Sequence, residues 1–310
     1  MKPFRKHVAI AIDGGGLRGV MVTTALEMLE NYLGAKLGEV CQLAAGTSTG
    51  SVIAAGIALN VSAQEMTTLY QTLAAKIFKK SWRTYLWFLT NYRYGNDELK
   101  KQFDFFSQGQ PMGALWTDAR KFDLVIVVRD LHEARSRFIK PWKEEYKAMP
   151  ITTAVMASAA APTYFPVVAG RFIDGGVGSF GNPCFIAAYE AWKYQDWNLN
   201  DTTLISIGTG RLPAGANGLP IGAANSFKSI QWLSPLLDSF LSDAGDQQAR
   251  VVNEFFPWLD FRRFQIETPA IPVDAVSQID NLIAYGKKLG QMILNDETDA
   301  SLNDPAYRKT

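Results

Sequence analysis

Histidine and cysteine are scarce in this chain. Of 310 residues, two are histidine, His7 and His132, and two are cysteine, Cys41 and Cys184. Two cysteines in apolar contexts cannot form a disulfide framework. They read as buried thiols of a reducing compartment, which favours the cytoplasm. No zinc-ligand spacing occurs, and no metal or other cofactor is expected. Charge of one sign is also missing. Lys and Arg number 31 against 30 Asp and Glu, a formal net charge of +1, which removes the bulk electrostatic case for a nucleic-acid polymer as partner. Long hydrophobic runs are absent too. The apolar run Val8 to Ile12 ends at Asp13 and three glycines, too short for the core of a signal peptide. Two longer uncharged stretches, Val40 to Gln64 and Ala148 to Gly170, are interrupted by Gln42 and Asn60 and by Pro150, Pro162 and Pro166. Both read as buried core rather than membrane spans.

What is present is the composition of a globular protein, 47% hydrophobic and 20% charged. "HVAIAI" (7–12) has the length of a buried strand, and "DGGG" turns the chain. Leu17, Met21, Ala25, Met28 and Tyr32 then fall on one helical face, with Gly34 as C-cap. "VCQLAAG" (40–46) reads as a second strand, followed by a turn and a helix rich in Ala and Gly. Ser62-Ala63-Gln64-Glu65 is a capping box, with Val61 and Met66 spaced as a hydrophobic staple. "FDLVIVV" (122–128), "RFIDGG" (171–176) and "TLISIGTG" (203–210) supply further strands. Pro213 to Pro220 is loop-like, and Ser226 to Phe256 and Asp274 to Leu294 are mainly helical in pattern. Strands alternating with helices predict an α/β fold with a mostly parallel sheet, whose strand-end turns bind ligands. No composition shift divides the chain, so one domain over 1–310 is expected: a core of about 8–210 and a helical part of about 222–310.

Three glycine turns carry the chemistry. Gly46-Thr47-Ser48-Thr49-Gly50 has the form G-x-S-x-G between a strand and a helix, the context of a nucleophilic serine on a sharp turn. Asp13-Gly14-Gly15-Gly16-Leu17-Arg18-Gly19 fits a dinucleotide fingerprint, but it equally presents consecutive backbone N–H groups to a negative oxygen. The fingerprint expects an acidic residue ending the second strand. Here that strand ends in Ala44-Ala45-Gly46 and leads to Ser48 instead. The third turn is Asp174-Gly175-Gly176. Its aspartate reads either as a turn carboxylate or as a general base beside Ser48. A histidine base would have to be His132, in the charge-rich turn "RDLHEARSRF", or His7, at the start of the first strand. Asp174 is the better candidate, which makes the expected pair a Ser–Asp dyad.

Taken in order, these motifs resemble those of the patatin-like phospholipases of bacterial type. "DGGGLRG" matches their oxyanion-hole signature, "GTSTG" their nucleophile elbow and "DGG" their catalytic aspartate motif. "ASAAAPTYFP" (157–166) and "ISIGTG" (205–210) are similar to further family segments. The resemblance runs from about Val8 to Gly210. It implies a three-layer α/β/α fold and hydrolysis of acyl esters of phospholipids without a metal. Ser48 would be the nucleophile and Asp174 the base. Gly14, Gly15 and Gly16 would supply oxyanion donors, joined by the N–H of Thr49, and Arg18 would be the signature arginine, with a structural or a substrate-contacting role. The segment "VGSFGNP" after the aspartate motif carries a Ser-Phe-Gly that many members lack, which bears on pocket shape.

Two readings stand beside this one. A non-catalytic protein of the same fold would hold a nucleotide or acyl ligand. Alternatively, as in some members of the family, a cyclic nucleotide would switch on the lipase. Finally, "KIFKKSWRTYLWFLTNYRY" (76–94) interleaves Lys76, Lys79, Lys80 and Arg83 with Phe78, Trp82, Tyr85, Trp87 and Phe88. That mixture suits transient, peripheral contact with an anionic membrane surface, and also a core helix with a solvated basic end or a subunit contact.

Overall fold

The computed structural model describes residues 1–79, 81, 84, 91–213, 222–227 and 245–303. Among the described residues seven strands form one sheet: β1 (His7–Ile12), β2 (Leu43–Thr47), β3 (Asp123–Asp130), β4 (Arg135–Ile139), β5 (Phe172–Asp174), β6 (Thr202–Ile207) and β7 (Asp260–Phe264). The order is β4-β3-β2-β1-β6-β7, with β5 paired to β3. The β3–β2–β1–β6–β7 pairs are parallel, and β4 and β5 run antiparallel to β3.

Helices cover both faces. They are α1 (Gly19–Leu33), α2 (Leu37–Val40), α3 (Thr49–Ala58), α4 (Ala63–Ile77), α5 (Asp97–Ser107), α6 (Glu144–Lys147), α7 (Ile151–Ser158), α8 (Cys184–Lys193) and α9 (Ile279–Leu294). A strand covered on both faces must be apolar on both, which explains the unbroken apolar run of β1. Its alternate residues feed two cores. Ile10 and Ile12 meet Leu26 and Leu29 of α1, Val52 and Ile53 of α3 and Val155 of α7. Ala9 and Ala11 meet Ala187 and Ala191 of α8 and Ala249 and Val252 of the helical residues 245–255. The protein is a three-layer α/β/α sandwich with a mostly parallel sheet, as expected.

Local signals hold in detail. Gly34 closes α1 in the left-handed conformation, its N–H bonded to Glu30, and the Ser62/Glu65 capping box starts α4. Three expectations change. Residues 37–40 form the short helix α2, so β2 begins at Leu43 rather than Val40. β4 and β7 emerge from "RSRFI" and "DFRRF", which have no apolar run. They are the two edges of the sheet, where charged side chains reach water or partners. Third, α9 starts at Ile279, after a short 3-10 turn at Val276–Gln278. Most of 226–256 and of the loop 213–220 lies outside the described residues, as do Lys80, Trp82, Arg83 and residues 85–90 of the basic and aromatic segment.

Candidate active site

The parallel strands all point their C-terminal ends to one edge of the sandwich, and the three glycine turns gather there. β2 delivers Ser48 directly into the N-terminus of α3. The turn is so tight that a Cβ on Gly46 would lie 2.2 Å from the carbonyl oxygen of Gly50, and one on Gly50 would lie 2.1 Å from that of Ile12. Between these glycines Ser48 adopts φ 55° and ψ −124°, a conformation that a residue with a Cβ holds only under strain. Three bonds maintain it. The Ser48 N–H donates to Ser158 Oγ at 2.9 Å, and that hydroxyl donates to the Val127 carbonyl at 2.6 Å. Ser51 Oγ donates to the Ser48 carbonyl at 2.6 Å. The strain is thus balanced by α3, β3 and the C-terminus of α7 together.

Asp174 ends β5. Its registration against Val128, next to the Thr47–Val127 pair, sets it beside the elbow. Its N–H is anchored on Ala160 at 3.0 Å, and its Oδ1 accepts the Gly176 N–H at 2.8 Å. Oδ2 is buried and accepts no well-formed hydrogen bond. The Ser48 hydroxyl lies beside the carboxylate and favours its charged form. Burial outweighs that help and the Gly176 N–H, and the Asp174 pKa rises from 3.8 to about 6. A carboxylate poised there is ionised at neutral pH and still a competent proton acceptor.

The first glycine turn lies alongside. Gly16 has φ +57° and packs so tightly on the Val273 carbonyl that a Cβ would stand 2.6 Å from it. Among the described residues, no acceptor takes the N–H of Gly15 or of Gly16. Gly14 differs: its N–H donates to the Gly181 carbonyl at 2.9 Å. It is already committed to the scaffold, which corrects the expectation that all three glycines offer free donors. Arg18 turns back on the turn, its backbone N–H and Nε both directed to the Gly15 carbonyl at 3.2 and 3.3 Å. Since the peptide is planar and trans, that contact fixes the Gly16 N–H on the opposite side. Asp13, at the head of the turn, is gripped by the buried Arg263 of β7 through two bonds of 2.8 and 2.6 Å.

Ser48, Thr49, Asp174, Gly15 and Gly16 line one pocket, open to solvent, with a cavity volume of about 100 Å³. Its walls are otherwise mainly apolar, with Leu69, Leu73 and Ile77 of α4 among them. The Tyr70 hydroxyl is paired with Thr49 Oγ1. Phe78 and Phe165 also line the pocket, and Tyr94 packs on both, meeting Phe78 edge to face at 5.3 Å. Neither histidine lines it. His7 stacks on Trp197 at the other end of β1, and His132 is exposed in the turn after β3.

Several supporting residues carry no motif of their own. Ser158 sits in "ASAAAPTYFP", where only contact with Ser48 reveals its use. The Ser-Phe-Gly departure does not shape the pocket wall. The Phe180 carbonyl accepts from Thr47 Oγ1 at 2.6 Å and that of Gly181 accepts from Gly14, so the segment ties the elbow to the first glycine turn. Arg263 lies some 250 residues from Asp13 in sequence, and no local pattern connects them.

A strained serine at a strand-to-helix turn, a buried carboxylate and a neighbouring glycine turn thus meet in one pocket at the edge of a three-layer α/β/α sandwich. The sequence model of the patatin-like phospholipases matches residues 10–188, well over half of the chain. The protein belongs to that family of lipid acyl hydrolases. It is similar to the cGAMP-activated phospholipase of Pseudomonas aeruginosa (28% identical, over 97% of this chain and 90% of the relative). It is also similar to an intracellular phospholipase A2 of Caenorhabditis elegans (29% identical, over 81% of this chain), of whose length the matched region spans only 24%. The cUMP-AMP-activated phospholipase of Escherichia coli is 26% identical over 74% of this chain and 72% of its own. Among solved structures, VipD from Legionella pneumophila covers 93% of this chain and 67% of its own at 12% identity and a TM-score of 0.44, a distant likeness.

Proposed function

We propose that the protein hydrolyses fatty-acyl esters of phospholipids through a Ser48–Asp174 dyad. The observation that carries the reading is the burial of both residues in one mainly apolar pocket, with Asp174 held near pKa 6 and facing the serine hydroxyl. Ser48 Oγ attacks the ester carbonyl while its proton passes to Asp174. The oxyanion rests on the N–H groups of Gly15, Gly16 and Thr49, the last at the N-terminus of α3, where the helix dipole favours negative charge. When the tetrahedral adduct collapses, the C–O bond breaks and Asp174 returns the proton to the departing alcohol or lyso-lipid. Asp174 then takes a proton from water, the hydroxide attacks the acyl-Ser48 ester, and fatty acid is released as Oγ recovers its proton. Arg18 acts as a positioning residue, holding the Gly15–Gly16 peptide with its N–H turned away from the guanidinium.

The test is hydrolysis of phospholipid vesicles with product identification, wild type against Ser48→Ala. Fatty acid and lyso-lipid from wild type alone support the reading; equal release from the variant refutes it.

A second reading concerns control of the same site. The similarity to a cGAMP-activated phospholipase spans nearly all of both chains, and a cUMP-AMP-activated one is also similar. This favours activation by a cyclic dinucleotide over a purely ligand-binding role. Vesicle hydrolysis that rises on adding cGAMP or cUMP-AMP supports it, and hydrolysis indifferent to a panel of cyclic dinucleotides refutes it. Of the location, no helix among the described residues is long and apolar enough to cross a membrane. Peripheral contact through 76–94 from the cytoplasmic side remains part of the proposal.

A further inference from the structure

A charged cleft with a cavity volume of about 220 Å³ adjoins the catalytic pocket. Three cations line it: Lys76 in the last turn of α4, Lys79 just beyond that helix, and Arg93. Two carboxylates line it as well, Asp97 and Glu98 in the first turn of α5. Among the described residues, no ion pair joins Lys76 or Lys79 to either acid, so charges of both signs face one space without neutralising each other. Arg93 is held in place, its guanidinium over the Tyr164 ring at 4.7 Å and its backbone N–H donating to the Thr163 carbonyl at 2.9 Å. Cleft and pocket share a wall. Ile77 lines both, while Phe78 and Leu99, the chain neighbours of Ile77 and Glu98, line the catalytic side. The Tyr94 ring, in the cleft, packs on Phe78 and Phe165 of the pocket. Ile77 lies two turns of α4, about 10 Å, beyond Tyr70, whose hydroxyl is paired with Thr49 next to the nucleophile. A glycerol phosphodiester carrying a short amino alcohol is long enough to bridge that distance.

We propose that this cleft holds the headgroup of a zwitterionic aminophospholipid, with its phosphate on Lys76, Lys79 and Arg93 and its ammonium on Asp97 and Glu98. The proposal rests on the hydrolase reading above and specifies its substrate: phosphatidylethanolamine is preferred to phosphatidylglycerol. Both lipids carry the phosphate, which the planar Arg93 fork and two lysines suit. Only the first brings a positive charge for the two acids. A glycerol headgroup leaves the acids facing the phosphate without a cation between them, which selects against it. Each exposed charge pair is worth up to about fivefold in relative affinity.

The experiment is a competition. Dioleoyl phosphatidylethanolamine and dioleoyl phosphatidylglycerol are mixed equally in neutral detergent micelles, with cGAMP and cUMP-AMP present, and the two lyso-lipids are quantified by mass spectrometry. Wild type is expected to favour the ethanolamine lipid by at least about fivefold. Glu98→Gln is expected to lower that ratio about threefold, and Asp97→Asn with Glu98→Gln to lower it further. Glu144→Gln removes the same charge from α6, outside the cleft, and is expected to leave the ratio unchanged. A wild-type ratio within about twofold of one overturns the proposal, as does a ratio that Glu98→Gln leaves unchanged or that Glu144→Gln lowers equally. Should the double variant fail to fold, Glu98→Gln decides alone. In each of these cases hydrolysis that is lost in Ser48→Ala leaves the parent reading standing. Hydrolysis that survives in Ser48→Ala, or none by wild type on either lipid, overturns the parent reading and this one with it.

Discussion

Replacing Asp174 by asparagine is expected to abolish activity and, at pH 8, to stabilise the fold. The structure gives the size of the second effect. The carboxyl is fully buried, and its pKa rises from 3.8 to about 6 on folding, chiefly through desolvation. The folded state therefore holds the proton more tightly than the unfolded one. Below pH 3.8 both states are protonated and the group costs nothing. As pH rises through 6 that stability is lost, and above it the full cost of a buried carboxylate remains. Roughly two pKa units correspond to about 3 kcal/mol at pH 8, and about half of that at pH 5. Asparagine carries no charge at either pH. Its Oδ1 can still accept the Gly176 N–H, and its Nδ2 can donate to the Ser48 hydroxyl. For a chain of this length 3 kcal/mol moves Tm by about 5 °C. The assay is thermal unfolding of wild type and Asp174→Asn at both pH values, alongside ester hydrolysis. A Tm gain that is larger at pH 8 than at pH 5, together with lost activity, is the expected result. An inactive variant that is no more stable than wild type at pH 8 would refute the argument that burial tunes this base.

The same pKa sets the pH profile: kcat/KM should climb as pH rises through about 6, as the base ionises, and stay level to pH 8; a profile that falls over that range contradicts Asp174 as base. Ser158→Ala removes the acceptor of the Ser48 N–H and is expected to lower kcat by about tenfold or more with little change in KM, measured on a soluble ester. His132→Ala and His7→Ala should leave kcat/KM within about twofold on the same ester, since neither side chain lines the pocket. Trp82→Ala with Trp87→Ala should weaken binding to anionic liposomes and slow vesicle hydrolysis while sparing the soluble ester; equal loss on both substrates would make the segment structural.

Much of this site is legible in the sequence because its chemistry is built on backbone geometry that only certain residues permit. Gly46 and Gly50 flank Ser48 because no Cβ fits there, and that steric demand writes G-x-S-x-G into the chain. The apolar runs of β1, β3 and β6 are legible for a similar reason, being covered on both faces. Other features depend on residues distant in sequence and leave no local trace. Ser158 reads as one more small residue in an alanine-rich helix until it is found against the elbow. Gly14 is indistinguishable from Gly15 until the Gly181 carbonyl takes its N–H. β4 and β7 carry arginines satisfied by Glu133, Glu145, Asp260 and Asp13, so their alternation is masked by charge.

The central claim is that Ser48 becomes covalently acylated, and trapping the acyl-enzyme tests it most directly. Wild type mixed with an excess of p-nitrophenyl ester, quenched in acid within the first turnover and digested, should yield an acyl adduct on the peptide containing Ser48. The adduct should be missing from Ser48→Ala and from Asp174→Asn. An adduct on another residue, or undiminished ester hydrolysis in Ser48→Ala, would contradict the account.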